Sequence, residues 1–403
     1  MCSVVSPEIY ETLKEVVKED IQNFEIVIHD GNKKGDGFLG DMVFVTMENK
    51  QSHEAIHLVV KQAFLNRSAR DTVPIRQVFI NEIYFYTKVW TRLNKFQERI
   101  PMQFQFHKVP KYFTSILEEA SEKLVLENLK FQKFEMYNKR IPVDKQHFEL
   151  IFREYGKFHA LSFAYKALFP EDYADLIKGT INIFLNFTNR DGFANAVKVI
   201  NDFAMDSLQP GIDDAVIEKF RRYVENHTEL FRDSLTCKTK YSVITHGDCR
   251  SNNMMFKYSE DRKLIDIRFF DFQLTREGSP CCDLSYCFYS GASGKLLNDL
   301  DYFLQIYHDS LSETLKAFGC DPQKLYPFQE LKNGWKRYSK VGVTMGLLIW
   351  KIKYTSDESL PDLNDVNMSS KEKEQMLYNC YDKDAFKKIC RDLILHLNKN
   401  DYL

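Results

Sequence analysis

The chain predicts an α+β fold in two lobes, a small antiparallel-sheet lobe over residues 1–126 and a larger, mainly helical lobe over residues 127–403. Three observations carry that expectation. With 403 residues and 44% hydrophobic content, the chain exceeds the roughly 250–300 residues at which a single core stops growing. Its first third holds short apolar runs of strand character, at 24–28, 42–47, 55–61 and 124–129. Further on, apolar residues recur at helical spacing over 141–168 and the stretch to Lys240, then over 296–318, 335–354 and 385–397, interrupted by a strand-rich segment at 243–271.

The elements follow in order. Ser6 reads as an N-cap and Pro7 as the first position of a helix with Ile9, Leu13, Val16 and Val17 on one side. Phe24 to Ile28 and Met42 to Met47 read as strands around Gly35-Asp36-Gly37-Phe38-Leu39-Gly40, a G-x-G-x-x-G loop. Because a strand and not a helix follows the last glycine, the motif predicts a glycine-rich hairpin over nucleotide phosphates, not a dinucleotide fingerprint. The next strand, Ala55 to Lys61, ends in a lysine that would meet phosphate oxygens. A fixed lysine needs an anionic partner, and Glu82 flanks the stripe Phe79, Ile83, Tyr86 and Trp90 on the following helix. Leu124 to Leu129 reads as the strand leaving the small lobe. A hinge is expected near Glu127, where the backbone at Glu127 and Leu129 would meet an adenine edge.

The most specific segment is His246-Gly247-Asp248-Cys249-Arg250-Ser251-Asn252-Asn253, followed eighteen residues after Asn253 by Asp271-Phe272-Gln273. Alone, an H-G-D tripeptide is also a common helix-capping turn. Its flanks decide: Val243-Ile244-Thr245, Met254-Met255-Phe256 and Ile267-Arg268-Phe269-Phe270 make a strand, loop, strand, turn, strand series with all three polar groups at strand exits. Phosphoryl transfer needs an oriented hydroxyl and neutralised charge, which two carboxylates and an amide around Mg²⁺ can supply. Asp248 would accept the hydroxyl proton, and Asn253 with Asp271 would hold the metal. ATP and Mg²⁺ are the expected cofactors, and a small-molecule alcohol the expected partner.

These segments, with Val59-Val60-Lys61-Gln62, Asn81-Glu82-Ile83-Tyr84-Phe85-Tyr86, Lys157-Phe158-His159-Ala160-Leu161 and Asp283-Leu284, resemble the ecdysteroid kinase-like, or CHK kinase-like, family, related to choline and aminoglycoside phosphotransferases. The resemblance covers nearly the whole chain. It implies a protein-kinase-like bilobal fold and ATP-dependent phosphorylation of a small-molecule hydroxyl, with steroid moulting hormones the best-known substrates. Substrate identity does not follow from membership: a steroid or hydroxylated xenobiotic, a polar choline- or aminoglycoside-type acceptor, and a nucleotide-binding pseudokinase remain open. The family usually carries an aromatic residue, most often Trp, two positions after the catalytic aspartate, where this chain has Arg250. A guanidinium there would suit the oxygens of the transferring phosphate.

Only eleven residues separate Asp271 from Asp283, with no A-P-E signature, so the platform on which protein kinases lay a peptide is not expected. Asp283 reads as a brace for the catalytic loop, His246 as its anchor and His159 as a packed core histidine. A net charge of −2 gives no electrostatic case for nucleic acid or an acidic membrane. Nine cysteines without paired spacing read as reduced thiols and not as a zinc site, which together with the absence of a secretory pattern at the start predicts a cytoplasmic protein. The apolar run at 341–350 is too short for a bilayer span of about twenty residues and reads as a core helix. The polar segment from Thr355 to Lys373 reads as a surface loop, a solvated connection sooner than a border of the acceptor pocket. No obligate protein partner is indicated.

Overall fold

Ser6 caps the first helix, Pro7–Lys14, its hydroxyl accepting the Ile9 N–H at 3.3 Å. The helix lays Ile9 and Leu13 on one face of a five-stranded antiparallel sheet of order β1-β2-β3-β5-β4. Its strands are β1 Phe24–His29, β2 Gly40–Asn49, β3 Ala55–Ala63, β4 Tyr112–Ile116 and β5 Lys123–Glu127. The computed structural model describes residues 6–29, 40–64, 70, 74–188, 191–355 and 378–403. Strand alternation sorts the sheet's two faces. Val45, Met47, Leu58, Val60 and Val125 pack towards the first helix, while Lys61, next to Val60, is turned to the other face. β1 and β2 pair antiparallel from Phe24↔Asn49 to His29↔Phe44, so the glycine motif does join a hairpin. Of that motif, Gly35, Gly37, Phe38 and Leu39 lie outside the described residues, and Gly40 opens β2 opposite Ala63.

The helix Ile75–Tyr84 continues through a π-helical turn, Phe85–Trp90, into Thr91–Gln97. Phe79, Ile83 and Tyr86 are buried along it, as their spacing predicts. In the larger part of the chain, Lys145–Leu168 packs against Leu300–Ala317, and Pro280–Gly291 against Lys340–Lys353. The expected helix over 141–168 begins at Lys145 because Asp144 caps it, accepting the His147 N–H at 3.0 Å. Likewise, 296–318 divides into a 3-10 turn, Gly294–Asp299, and the helix Leu300–Ala317.

The stretch at 335–354, expected as one helix, is two: Phe328–Tyr338 and Lys340–Lys353. Ser339 ends the first, donating its N–H to Trp335 O at 3.0 Å. Periodicity misses this break because Trp335, Tyr338 and Val341 are all buried and keep a spacing of three across it. From 356 to 373 the expected polar loop falls outside the described residues. Among those described, no helix is long and apolar enough to cross a membrane.

Two small sheets flank the His246–Asn253 loop: β7 Val243–Thr245 pairs with β10 Arg276–Gly278, and β8 Met254–Tyr258 lies between β6 Phe134–Met136 and β9 Leu264–Phe269.

Candidate active site

The site is assembled where the larger sheet meets the β7–β10 region. Lys61 Nζ lies 2.7 Å from Glu82 Oε2 and 2.6 Å from Asp271 Oδ1, with Gln273 Oε1 at 3.4 Å. Strand β3 delivers the lysine and the helix Ile75–Tyr84 delivers the glutamate. Asn81, beside Glu82, ties that helix to the segment after Asp271: its amide donates to Gln273 O at 2.9 Å and Thr275 O at 2.8 Å and accepts the Ile181 N–H at 2.9 Å. Asp271 takes a left-handed conformation (φ 68°, ψ 54°), which turns the chain sharply out of β9. Phe272 then drops into the core, stacked on Phe85 with ring centroids 3.8 Å apart.

One ammonium serves two carboxylates in this buried cluster, so negative charge is in excess. Burial works against the Lys61 charge, yet Asp271 and Glu82 outweigh it and raise its pKa. Glu82 is pushed up to about 7 by its own burial, with Lys61 opposing and Asp271 adding to the rise. A divalent cation at Asp271 would relieve that imbalance. Asn253 reaches the same end of the β8–β9 hairpin, its carbonyl accepting the Phe270 N–H at 3.1 Å. Its side-chain Nδ2 is spent on Asp248, at 2.9 Å from the backbone O and 2.8 Å from Oδ2. The amide oxygen is therefore the atom with which Asn253 could ligate. Among the described residues no group of three or more His, Cys, Asp or Glu could hold a metal. An Asp–Asn pair suits a hard cation that takes its remaining oxygens from phosphate and water.

The loop from His246 to Asn253 is held from behind. Asp283 accepts the His246 N–H at 2.6 Å, the Gly247 N–H at 3.0 Å and a contact from His159 Nε2 at 3.3 Å. Burial works to raise its pKa, but the hydrogen bond from His159 brings it below the ordinary value. His246 Nε2 lies 3.0 Å from Phe270 O, and its Nδ1 accepts the Asp248 N–H at 3.2 Å. Burial lowers its pKa, which suits a neutral ring accepting at one nitrogen and donating at the other. His159 is fully buried and, as the sequence suggests, belongs to the core. Gly247 sits at φ 89°, and a Cβ there would stand 2.2 Å from Leu274 O, so glycine is required between histidine and aspartate.

Asp248 is 6% exposed. Its Oδ1 accepts the Tyr286 hydroxyl at 2.8 Å and faces Arg250 Nε at 3.5 Å. Burial acts to lower the Arg250 pKa, but the charge of Asp248 prevails and raises it, so the guanidinium stays charged beside the carboxylate. Near the expected hinge, the Glu127 N–H is committed to Lys111 O at 2.9 Å and the Asn128 N–H to His57 O at 2.9 Å. An adenine edge would have to use the Glu127 carbonyl and the Leu129 N–H. Leu129 is buried beside Phe134 and Met255.

Sequence reasoning missed Tyr286, Gln273 and the bracing role of Asn81. Only Tyr286 left a usable trace, three residues after Asp283 on a helix.

A strand lysine paired with a helix glutamate, together with a buried H-G-D loop and an Asp turned out of a strand, is the arrangement expected of a kinase-like phosphotransferase. The sequence matches the ecdysteroid kinase-like family over residues 34–320. That is more than half of the chain, and the protein belongs to this family. Among solved structures, the GDP and kanamycin complex of APH(2")-IIia is similar at 12% identity and TM-score 0.36, over 85% of this chain and 98% of that one. A glucosamine kinase (crystal form A) is similar at 10% identity and TM-score 0.33, over 88% of this chain and 81% of that one. Among curated proteins, none is similar enough in sequence to count as a relative.

Proposed function

We propose that this protein transfers the γ-phosphoryl group of ATP, bound with Mg²⁺, to a hydroxyl of a small molecule of the steroid or hydroxylated-xenobiotic class. The observation that carries the reading is the convergence of Lys61, Glu82 and Asp271 within 2.7 Å contacts, in a site whose Asp248 is buried and doubly hydrogen-bonded. When bound, Mg²⁺ supplies charge neutralisation across the phosphates, and Asp271 with the Asn253 amide oxygen would hold it. Lys61, positioned by Glu82, neutralises phosphate oxygens. Asp248 orients the acceptor hydroxyl and takes its proton as the new O–P bond forms and the bond to the β-phosphate oxygen breaks. Arg250, charged and beside Asp248, contacts the transferring phosphate. The glycine-rich hairpin covers the phosphates, and the Glu127–Leu129 segment takes the base. The family supports a hydroxylated acceptor, and its name supports the steroid class. The free thiols of the described cysteines favour a reducing compartment such as the cytoplasm; no obligate protein partner is needed.

Asp248→Asn tests the central role. Incubated with labelled ATP and a panel of steroids, choline-like alcohols and plant-derived hydroxylated compounds, the parent should label one class. The variant should lose turnover by roughly a thousandfold while binding ATP normally. Parental turnover in the variant would overturn the assignment.

A further inference from the structure

We propose that Tyr286 aims the Asp248 carboxylate, as one half of a clamp in which the single buried helix Pro280–Gly291 holds three successive residues of the catalytic loop. The inference rests on the phosphotransferase reading above. Every residue of that helix is buried, so it is a rigid platform. Asp283 and Tyr286 stand three residues apart on it, which puts them on one face. From that face Asp283 takes the N–H groups of His246 and Gly247 at 2.6 and 3.0 Å, and Tyr286 reaches the next residue, donating its hydroxyl to Asp248 Oδ1 at 2.8 Å.

The other carboxylate oxygen, Oδ2, accepts the Asn253 amide at 2.8 Å. One internal donor on each oxygen fixes the plane of the carboxylate. Each oxygen keeps a second lone pair for the acceptor hydroxyl. Arg250 Nε is the longer contact to Oδ1, at 3.5 Å. Without the tyrosine hydroxyl, Oδ1 would be left facing this charged neighbour, whose attraction would turn the carboxylate. Burial pushes the Tyr286 pKa well above 10, so the hydroxyl remains a donor at any working pH. A ring at this place needs no hydroxyl to fill the core, as Phe288 on the same helix illustrates.

Tyr286 acts through Asp248 and is a positioning residue. In the step it serves, the acceptor oxygen bonds to phosphorus, the bond to the β-phosphate oxygen breaks, the acceptor proton passes to Asp248, and Tyr286 keeps its own proton.

Tyr286→Phe removes a single oxygen atom. The test measures Mg-ATP turnover as phosphate release with water as acceptor, binding of a fluorescent N-methylanthraniloyl ATP, and thermal melting. Turnover is expected to fall roughly 10- to 100-fold, the loss typical of a misaligned reacting group, while KM for ATP, the affinity for the fluorescent nucleotide and the melting temperature stay near the parental values. Unchanged turnover would overturn the proposal and leave the phosphotransferase reading standing. An unfolded variant, or a loss of turnover matched by a collapse in melting temperature, would also overturn it by making the hydroxyl structural. If the parent protein binds no nucleotide in the presence of Mg²⁺, the phosphotransferase reading fails, and the positioning role with it.

Discussion

Asp283→Asn is the sharpest perturbation of the His246–Asn253 loop, because it changes one oxygen of a fully enclosed acceptor and almost no volume. The parental carboxylate is 1% exposed and serves two backbone N–H groups and His159. The amide best keeps its carbonyl at the Oδ2 position, which serves both His246 and His159, and its NH₂ then faces the Gly247 N–H. A buried donor left without an acceptor costs about 1–3 kcal/mol. The surviving bonds lose their charge-assisted strength, worth on the order of 1 kcal/mol each. The sum is about 3–5 kcal/mol, enough to lower the melting temperature by roughly 4–6 °C in a protein of this size. Turnover should fall by at least about tenfold as the loop shifts. A pH series adds a signature. Because the folded pKa of Asp283 lies below its ordinary value, its stabilisation is present above the unfolded value near about 4 and is lost as pH falls through the folded one. The gap between parent and variant should therefore narrow in acid. Melting by fluorimetry at a fixed scan rate, paired with turnover, is the assay. A variant that melts within about 2 °C of the parent at neutral pH and turns over normally would refute the bracing argument.

Gly342→Ala should destabilise through crowding, since the new Cβ would stand 2.3 Å from Ser285 C and 2.4 Å from its Oγ on the helix that carries Asp283 and Tyr286. Overpacking of this kind costs about 1–3 kcal/mol, and an unshifted urea midpoint would contradict it. Lys61→Met leaves Glu82 and Asp271 buried without their cation, so nucleotide affinity should drop at least about tenfold and stability by about 3–5 kcal/mol; calorimetric binding and melting report both, and parental affinity would count against the lysine's role. With Glu82 raised from 4.5 to about 7 in the folded state, its contribution to stability is greatest below 4.5 and declines as pH rises through about 7, by at most about 1.4 kcal/mol per unit. Glu82→Gln should flatten that decline, and an unaltered slope in denaturant titrations across this range would show that Glu82 does not titrate there. Arg250→Ala and Arg250→Trp should both slow turnover at saturating ATP; an unchanged rate would remove the phosphate contact.

Much of the site was written in local pattern. The strand alternation that sends Val60 to one face sends Lys61 to the other, and the spacing of Phe79, Ile83 and Tyr86 fixes which side of their helix carries Glu82. The run from His246 to Asn253 and the Asp271 turn are contiguous, so their order on the chain is also their order at the strand exits. Boundaries were less legible: the break at Ser339 vanished into an uninterrupted buried spacing, and Asp144 moved a helix start by its capping bond alone.

The sequence by itself determined which residue types could do phosphoryl chemistry and on which elements they ride, because periodicity and motif spacing are properties of neighbours along the chain. Only the tertiary structure decided that Lys61 spans Glu82 and Asp271 at once, that Asn81 laces its helix to the segment beyond Asp271, and that Asn253 and Tyr286 each claim one oxygen of Asp248. Those pairings join residues up to 210 positions apart, and no local pattern encodes the direction in which two distant elements approach. That direction is set by how the buried helices close on one another, where a few glycines with no room for a Cβ fix the distance.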